Sequence, residues 1–218
     1  MRIPRNISMI GNLVAFLLLT TVHASGRLSH FDKVFFQTLN GLSTNGMVYS
    51  AAAITSIGGS SIFWLMIIAV VGVFGLRKRN LLPVFELVIA LALVTIFTAG
   101  VKEIIMHPRP SELLPGFAVI HHPDSGYSYP SGHTARAAAG FSVVTLNSRT
   151  WGVIVTLVPP LLVATSRVIV GAHFPLDTLA GLLIGYLSVQ ISVSLIHRLR
   201  AKLPVRISVF DTNRSTLK

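Results

Sequence analysis

The chain has 218 residues, 52% hydrophobic and 11% charged, with a mean hydropathy of +0.71. A soluble domain carries about 25% charged residues, so the composition excludes one and predicts an all-α, polytopic membrane helix bundle in a single domain. Cysteine is absent, which excludes disulfides and thiolate metal sites, and the net charge of +11 is distributed as membrane topology would place it, so no nucleic-acid partner is expected.

A membrane span needs about 20 apolar residues. The first runs from about 7 to 24, after Arg2 and Arg5. Val22-His23-Ala24 before Ser25 also fits a cleavable signal peptide. A retained span is the reading adopted, because the later layout wants a first helix. Residues 25–46 carry Leu28, Phe31, Val34, Phe35 and Leu39 at helical spacing, with Asp32, Lys33 and Gln37 between them. That pattern predicts a short helix in the membrane interface or an ordinary packed loop helix.

The second span begins between 47 and 57 and ends at Leu76, before Arg77-Lys78-Arg79. Gly58, Gly59, Ser60 and Ser61 would allow close helix contact. The third runs from about 81 to 101, with Glu86 near its inner end pairing with a cation or reaching the interface. The fourth covers about 131–147, the fifth 151–166 with a kink expected at Pro159-Pro160, and the sixth 176–196. Residues 1–200 form one domain, and 201–218 a basic cytoplasmic tail.

Arg2, Arg5, Arg77, Lys78, Arg79, Arg149, Arg198, Arg200, Lys202, Arg206, Arg214 and Lys218 fall on one side, which the positive-inside rule makes cytoplasmic. Arg27, Lys33, Lys102, Arg109, Arg136 and Arg167 fall on or near the other. Three polar segments share that outer side: Lys102 to Pro110, Pro130-Ser131-Gly132-His133, and Ser166 to Asp177. The first two lie in one loop, and two crossings later the third returns to the same face.

Pooled, they offer the cations Lys102, Arg109 and Arg167, the neutral donors Ser131 and Gly132, two histidines and an aspartate. Arginine can hold two phosphoryl oxygens at once, and lysine adds a point charge. Such a set would stabilise an in-line displacement at phosphorus. His173 and Asp177 are four apart, so they share a face of one helical turn. An aspartate on one ring nitrogen fixes the tautomer and leaves the other to attack, and His133 could protonate the leaving oxygen.

The pattern Lys-x6-Arg-Pro, Pro-Ser-Gly-His, Ser-Arg-x5-His-x3-Asp resembles the type-2 phosphatidic acid phosphatase (PAP2) superfamily. Every part stands without gap or substitution, at Lys102 to Pro110, Pro130 to His133, and Ser166 to Asp177. The resemblance implies a metal-independent membrane lipid phosphatase with a phosphohistidine intermediate and no cofactor. It implies His173 as nucleophile, Asp177 as its orienting partner and His133 as general acid. Lys102, Arg109, Ser131, Gly132 and Arg167 would bind phosphate. The substrates it implies are polyprenyl (undecaprenyl-type) diphosphate first, then phosphatidic acid, phosphatidylglycerophosphate or a lipid A phosphate.

Arg136 lies outside that pattern. It is read as snorkelling or pairing with Glu103, Glu112 or Asp124, with a second phosphate of a diphosphate as the alternative. His107 is read as loop structure, and Trp64 and Trp151 as packing or interface anchors. His121-His122 lacks a third ligand at metal spacing, so no metal is expected. The expected setting is the plasma (inner) membrane with an extracytoplasmic site, membrane lipids around it and no obligatory protein partner. Rival readings are a lipid-to-lipid phosphotransferase and a non-catalytic lipid-binding protein. The soluble vanadate-dependent haloperoxidases share the motifs, but six spans exclude them.

Overall fold

The computed structural model describes residues 5–114, 116–117, 126–146 and 152–202. Arg2, His121, His122, Asp124, Arg149, Trp151 and the tail from 203 onward lie outside the described residues. Within them the chain is all helical: α1 (Arg5–Ala24), α2 (Ser29–Gly41), α3 (Asn45–Gly59), α4 (Ser61–Arg77), α5 (Leu82–Ile105), the single turn α6 (Pro110–Leu113), α7 (Gly132–Thr145), α8 (Gly152–Ile169) and α9 (Pro175–Lys202).

Helices α5, α8 and α9 are each long and apolar enough to cross a membrane, and two bent pairs, α1 with α2 and α3 with α4, raise the count to five. The fourth expected span is α7. Its 14 residues rise about 21 Å, less than a hydrocarbon core of about 30 Å. It is the centre of the bundle, packed by α3, α5, α8 and α9. Its small residues explain how. Gly181 and Gly185 of α9 lie against it, and a Cβ on either would stand 2.5 Å from the carbonyl oxygen of Ser131 or Ala135. Small-xxx-small faces replace the hydrophobic effect as the packing device inside a membrane.

The second expected span is two helices. α3 and α4 meet at Ser60 with a 55° bend. A broken helix leaves carbonyls without intrahelical partners. The Trp64 indole donates to Gly58 O at 2.8 Å, and Arg136 donates to Gly59 O at 3.1 Å. α8 runs as one helix through Pro159 and Pro160.

α1 packs along α9, where Asn12 donates to Leu183 O at 3.1 Å and Phe16 enters the main core. Glu86 of α5 is buried, and its carbonyl oxygen accepts a bond from Ser192 of α9. α2 turns 94° away from α1, as an interfacial helix would. Its buried stripe is Asp32, Phe36 and Asn40, while Phe31, Val34 and Phe35 face outward. The outward apolar face suits lipid, and the inward polar residues have work to do. Asp32 accepts from the amide of Leu176 at 2.9 Å, and Asn40 donates to Ile169 O at 2.9 Å. α2 therefore ties down the start of α9 and the end of α8.

Candidate functional site

His173, in the loop between those two helix ends, lines a cavity of about 600 Å³ with the end of α5, the start of α7 and the α3–α4 break. Its walls include Lys102, Arg109, Gly132, His133, Arg136 and His173. The three polar segments separated in the sequence thus meet at one end of the bundle. Arg77, Lys78, Arg79, Arg198, Arg200 and Lys202 close α4 and α9 away from that cavity.

Backbone bonds fix the segments to each other. The Ser131 amide donates to Asp177 O at 2.9 Å, which joins the start of α7 to the first turn of α9. The Ser128 amide donates to His107 O at 2.7 Å. Arg109, 2% exposed, spans the loop: Nε donates to Gly126 O at 2.8 Å and a terminal nitrogen to Ala172 O at 2.9 Å. Lys102 donates to Tyr127 O. Both cations are held by carbonyls of the loops they join.

His173 and Asp177 are buried, with Nδ1 and Oδ2 3.4 Å apart. Ser128 stands between them, donating its hydroxyl to Asp177 Oδ2, with its oxygen 3.3 Å from His173 Nδ1. A hydroxyl that donates to the carboxylate has lone pairs left for an N–H, so the arrangement assigns the His173 proton to Nδ1. The Phe174 amide donates to the same carboxylate oxygen at 2.9 Å. Burial holds the His173 pKa well below its ordinary value, and Arg167, Arg109, Lys102 and His133 push it the same way. The imidazole is neutral, and its ring borders the cavity.

His133 lies in the first turn of α7, whose N-terminus has no side-chain cap. Gly59 packs directly against the His133 ring. Arg167 is buried at the end of α8 and donates to the Thr55 hydroxyl of α3 at 3.1 Å. Ser131 is buried and accepts from the Thr134 hydroxyl at 3.1 Å. Arg136 neither pairs with Glu103 or Glu112 nor turns away from the site; it caps α3 and borders the cavity.

Ser128, Thr55 and Gly59 are contributors that the sequence motifs do not reveal. Each acts through a partner between 45 and 112 positions away or across a helix interface, and no local spacing signals that. His107 has a richer setting than loop structure. Its Nδ1 lies 4.0 Å from Asp177 Oδ1, and its ring stands edge-on to His23 at 4.5 Å. Burial, then Lys33, lowers its pKa.

An all-helical bundle with apolar spans and a buried, cation-lined histidine site defines a class: integral membrane proteins that handle a phosphoryl group. Residues 83–201 match the PAP2 superfamily profile. The chain is 34% identical over 159 residues to an undecaprenyl-diphosphatase of Sulfolobus acidocaldarius, covering 71% of each chain. It is 30% identical over 145 residues to the decaprenylphosphoryl-5-phosphoribose phosphatase of Mycobacterium tuberculosis, covering 64% of this chain and 75% of that one. The fold matches a crystal structure of a transmembrane PAP2-type phosphatidylglycerolphosphate phosphatase from Bacillus subtilis, with a TM-score of 0.75, 22% identity, and coverage of 89% and 98%. The chain belongs to the PAP2 superfamily, and it is a membrane phosphatase.

Proposed function

We propose that this protein hydrolyses the terminal phosphate of a membrane lipid, a polyprenyl diphosphate first among the candidates, through a phosphohistidine at His173. The observation that carries this reading is the buried His173–Asp177 pair, backed by Ser128 and bordering a cavity walled by Lys102, Arg109 and His133.

In the first step the unprotonated ring nitrogen of His173 attacks phosphorus. The N–P bond forms as the bond to the leaving oxygen breaks, and His133 gives that oxygen its proton. Asp177 offsets the positive charge that grows on the imidazole. Lys102, Arg109 and Arg167, with Ser131 and the amides at the start of α7, stabilise the equatorial oxygens. In the second step water attacks phosphorus, His133 takes its proton, and the N–P bond breaks to release inorganic phosphate and neutral His173.

Two features support a lipid diphosphate. The relative from Sulfolobus acidocaldarius is named for that substrate class. Arg136 spends one nitrogen on Gly59 O and still borders the cavity, with further donors for a second phosphate. The cavity is also walled by Gly59 and Ser60 at the α3–α4 break and by Thr95 and Ala99 of α5, which suits a headgroup arriving from the lipid side. The Lys and Arg residues at the far ends of α4 and α9 support an extracytoplasmic site in the plasma (inner) membrane.

The test is a panel of lipid phosphates and diphosphates assayed for phosphate release by the detergent-purified protein. Rapid release from polyprenyl diphosphate, absent in His173→Ala, is the expected result. Label carried to a second lipid would make the enzyme a phosphotransferase, and full cellular function of His173→Ala would sink the catalytic reading.

A further inference from the structure

Behind the carboxylate that supports His173 lies a second cavity, of about 260 Å³. It is bordered by His23 at the end of α1, Asp32 and Lys33 of α2, and His107 after α5. Asp177 stands next to that wall, with its Oδ1 4.0 Å from His107 Nδ1. His173, Ser128 and the Phe174 amide all approach Asp177 Oδ2. The other oxygen, Oδ1, is buried and makes no hydrogen bond. Nδ1 of His107 and Nε2 of His23, its neighbours here, are buried in the same condition. Each residue of the trio offers one ligand atom, and these atoms all lie within 4.8 Å of one another.

Buried polar atoms without partners are costly, and native structures rarely keep several at one point. A bound group satisfies them together. The donors are two imidazole nitrogens and one carboxylate oxygen, a set that suits zinc and its borderline neighbours rather than magnesium or calcium. Zinc bonds of about 2.0–2.2 Å place tetrahedral ligands roughly 3.4 Å apart. His107 and Asp177 stand at 4.0 Å, so modest side-chain closure completes the geometry. The adjoining cavity has room for the water that fills the fourth position. The packing also holds the ligands in place. His23 stacks on Tyr129 with ring centroids 4.2 Å apart, and Ser128 and the Phe174 amide orient the carboxylate.

We propose that His23, His107 and Asp177 bind one divalent transition-metal ion of the zinc class, and that the bound ion inhibits the phosphatase. An ion on Oδ1 draws the electron density that Oδ2 lends to His173, so attack on phosphorus slows. This inhibitory half rests on the role proposed above for Asp177; the binding half does not. Lys33 is the opposing element, because its ammonium borders the same cavity and repels a cation.

The experiment uses the full chain purified in detergent, stripped with EDTA and dialysed against zinc chloride. The expected result is one zinc per chain. His107→Ala and His23→Ala should each weaken binding by at least about tenfold, while Lys33→Gln should tighten it, a gain that misfolding cannot imitate. Phosphate release should fall with the same midpoint as binding and return with EDTA, and magnesium chloride should do neither. No stoichiometric zinc, or binding unchanged in both histidine variants and in Lys33→Gln, overturns the site. Zinc bound with the expected variant pattern but with no loss of rate overturns the inhibition. If the zinc-free protein releases no phosphate from any lipid, the phosphatase reading fails, and dialysis still decides the ion site.

Discussion

Replacing Gly59 by alanine tests whether the α3–α4 break seats the proton donor. A Cβ at that position would fall onto Nε2 and Cδ2 of His133 and stand 2.9 Å from Cε1. Ordinary carbon contacts need about 3.5–4.0 Å, so the ring must retreat by roughly 1.5–2 Å, or the helix break must open by as much. A 1 Å misplacement in a catalytic constellation costs on the order of 100-fold, which is about 2.7 kcal/mol of barrier. The loss should depend on the leaving group, because proton donation matters most for a poor one. A lipid phosphomonoester expels a weakly acidic alcohol that needs the proton and should lose the full factor in kcat/KM. p-Nitrophenyl phosphate leaves as a stable phenolate and should lose less than about fivefold. Thermal unfolding in detergent reports separately what this overpacking costs in stability, about 1–3 kcal/mol for contacts of this kind. Equal losses on both substrates, or an unchanged rate on the lipid, would refute the reasoning.

Four other outcomes are expected. Ser128→Ala removes the hydroxyl between His173 and Asp177; a bond to a charged group is worth about 1.5–3 kcal/mol, so kcat should fall about 10- to 100-fold with KM little changed, and Ser128→Thr should recover part of it. The pH–rate profile should be bell-shaped, needing neutral His173 and protonated His133. Because the folded site lowers the His173 pKa, protonation removes the nucleophile only well below an ordinary histidine value of about 6.5; an acid limb at or above that value counts against His173 as the attacking group. Gly185→Ala would place a Cβ 2.6 Å from Ala138 Cβ and 2.5 Å from Ala135 O, and overpacking of this kind costs about 1–3 kcal/mol, which a lowered melting temperature would report. Prolonged EDTA treatment should leave phosphate release intact or raise it, and loss that magnesium restores would contradict a metal-independent reaction.

The sequence by itself determined the class and most of the residues that gather at the candidate site. Long apolar stretches have no stable home outside a membrane, and the backbone must then be helical to satisfy its own hydrogen bonds. Counting crossings was enough to bring Lys102, His133 and His173 to one end of the bundle, because topology fixes sidedness before any packing is known. A short helix was also legible in 25–46, but its inward face was not. Apolar periodicity marks the side that leaves water, and beside a membrane that side can be lipid, so Asp32 and Asn40 turned inward to cap α9 and α8.

Only the tertiary structure decided the rest. The second apolar stretch had the length of a single span, yet it breaks at Ser60, and the break is stable because Trp64, just beyond it, and Arg136, from α7, satisfy its carbonyls. Arg136 donates to a backbone oxygen of α3, a partner that no charge pattern in the sequence marks. Ser128 sits among loop residues with no motif, and it gains a role only because Asp177 stands 49 positions away in sequence and beside it in space. His23 lies on the first helix and His107 after the fifth, and nothing in either neighbourhood points to the other. Local patterns record what one element needs from its surroundings, whereas meeting points of distant elements are set by how helices pack.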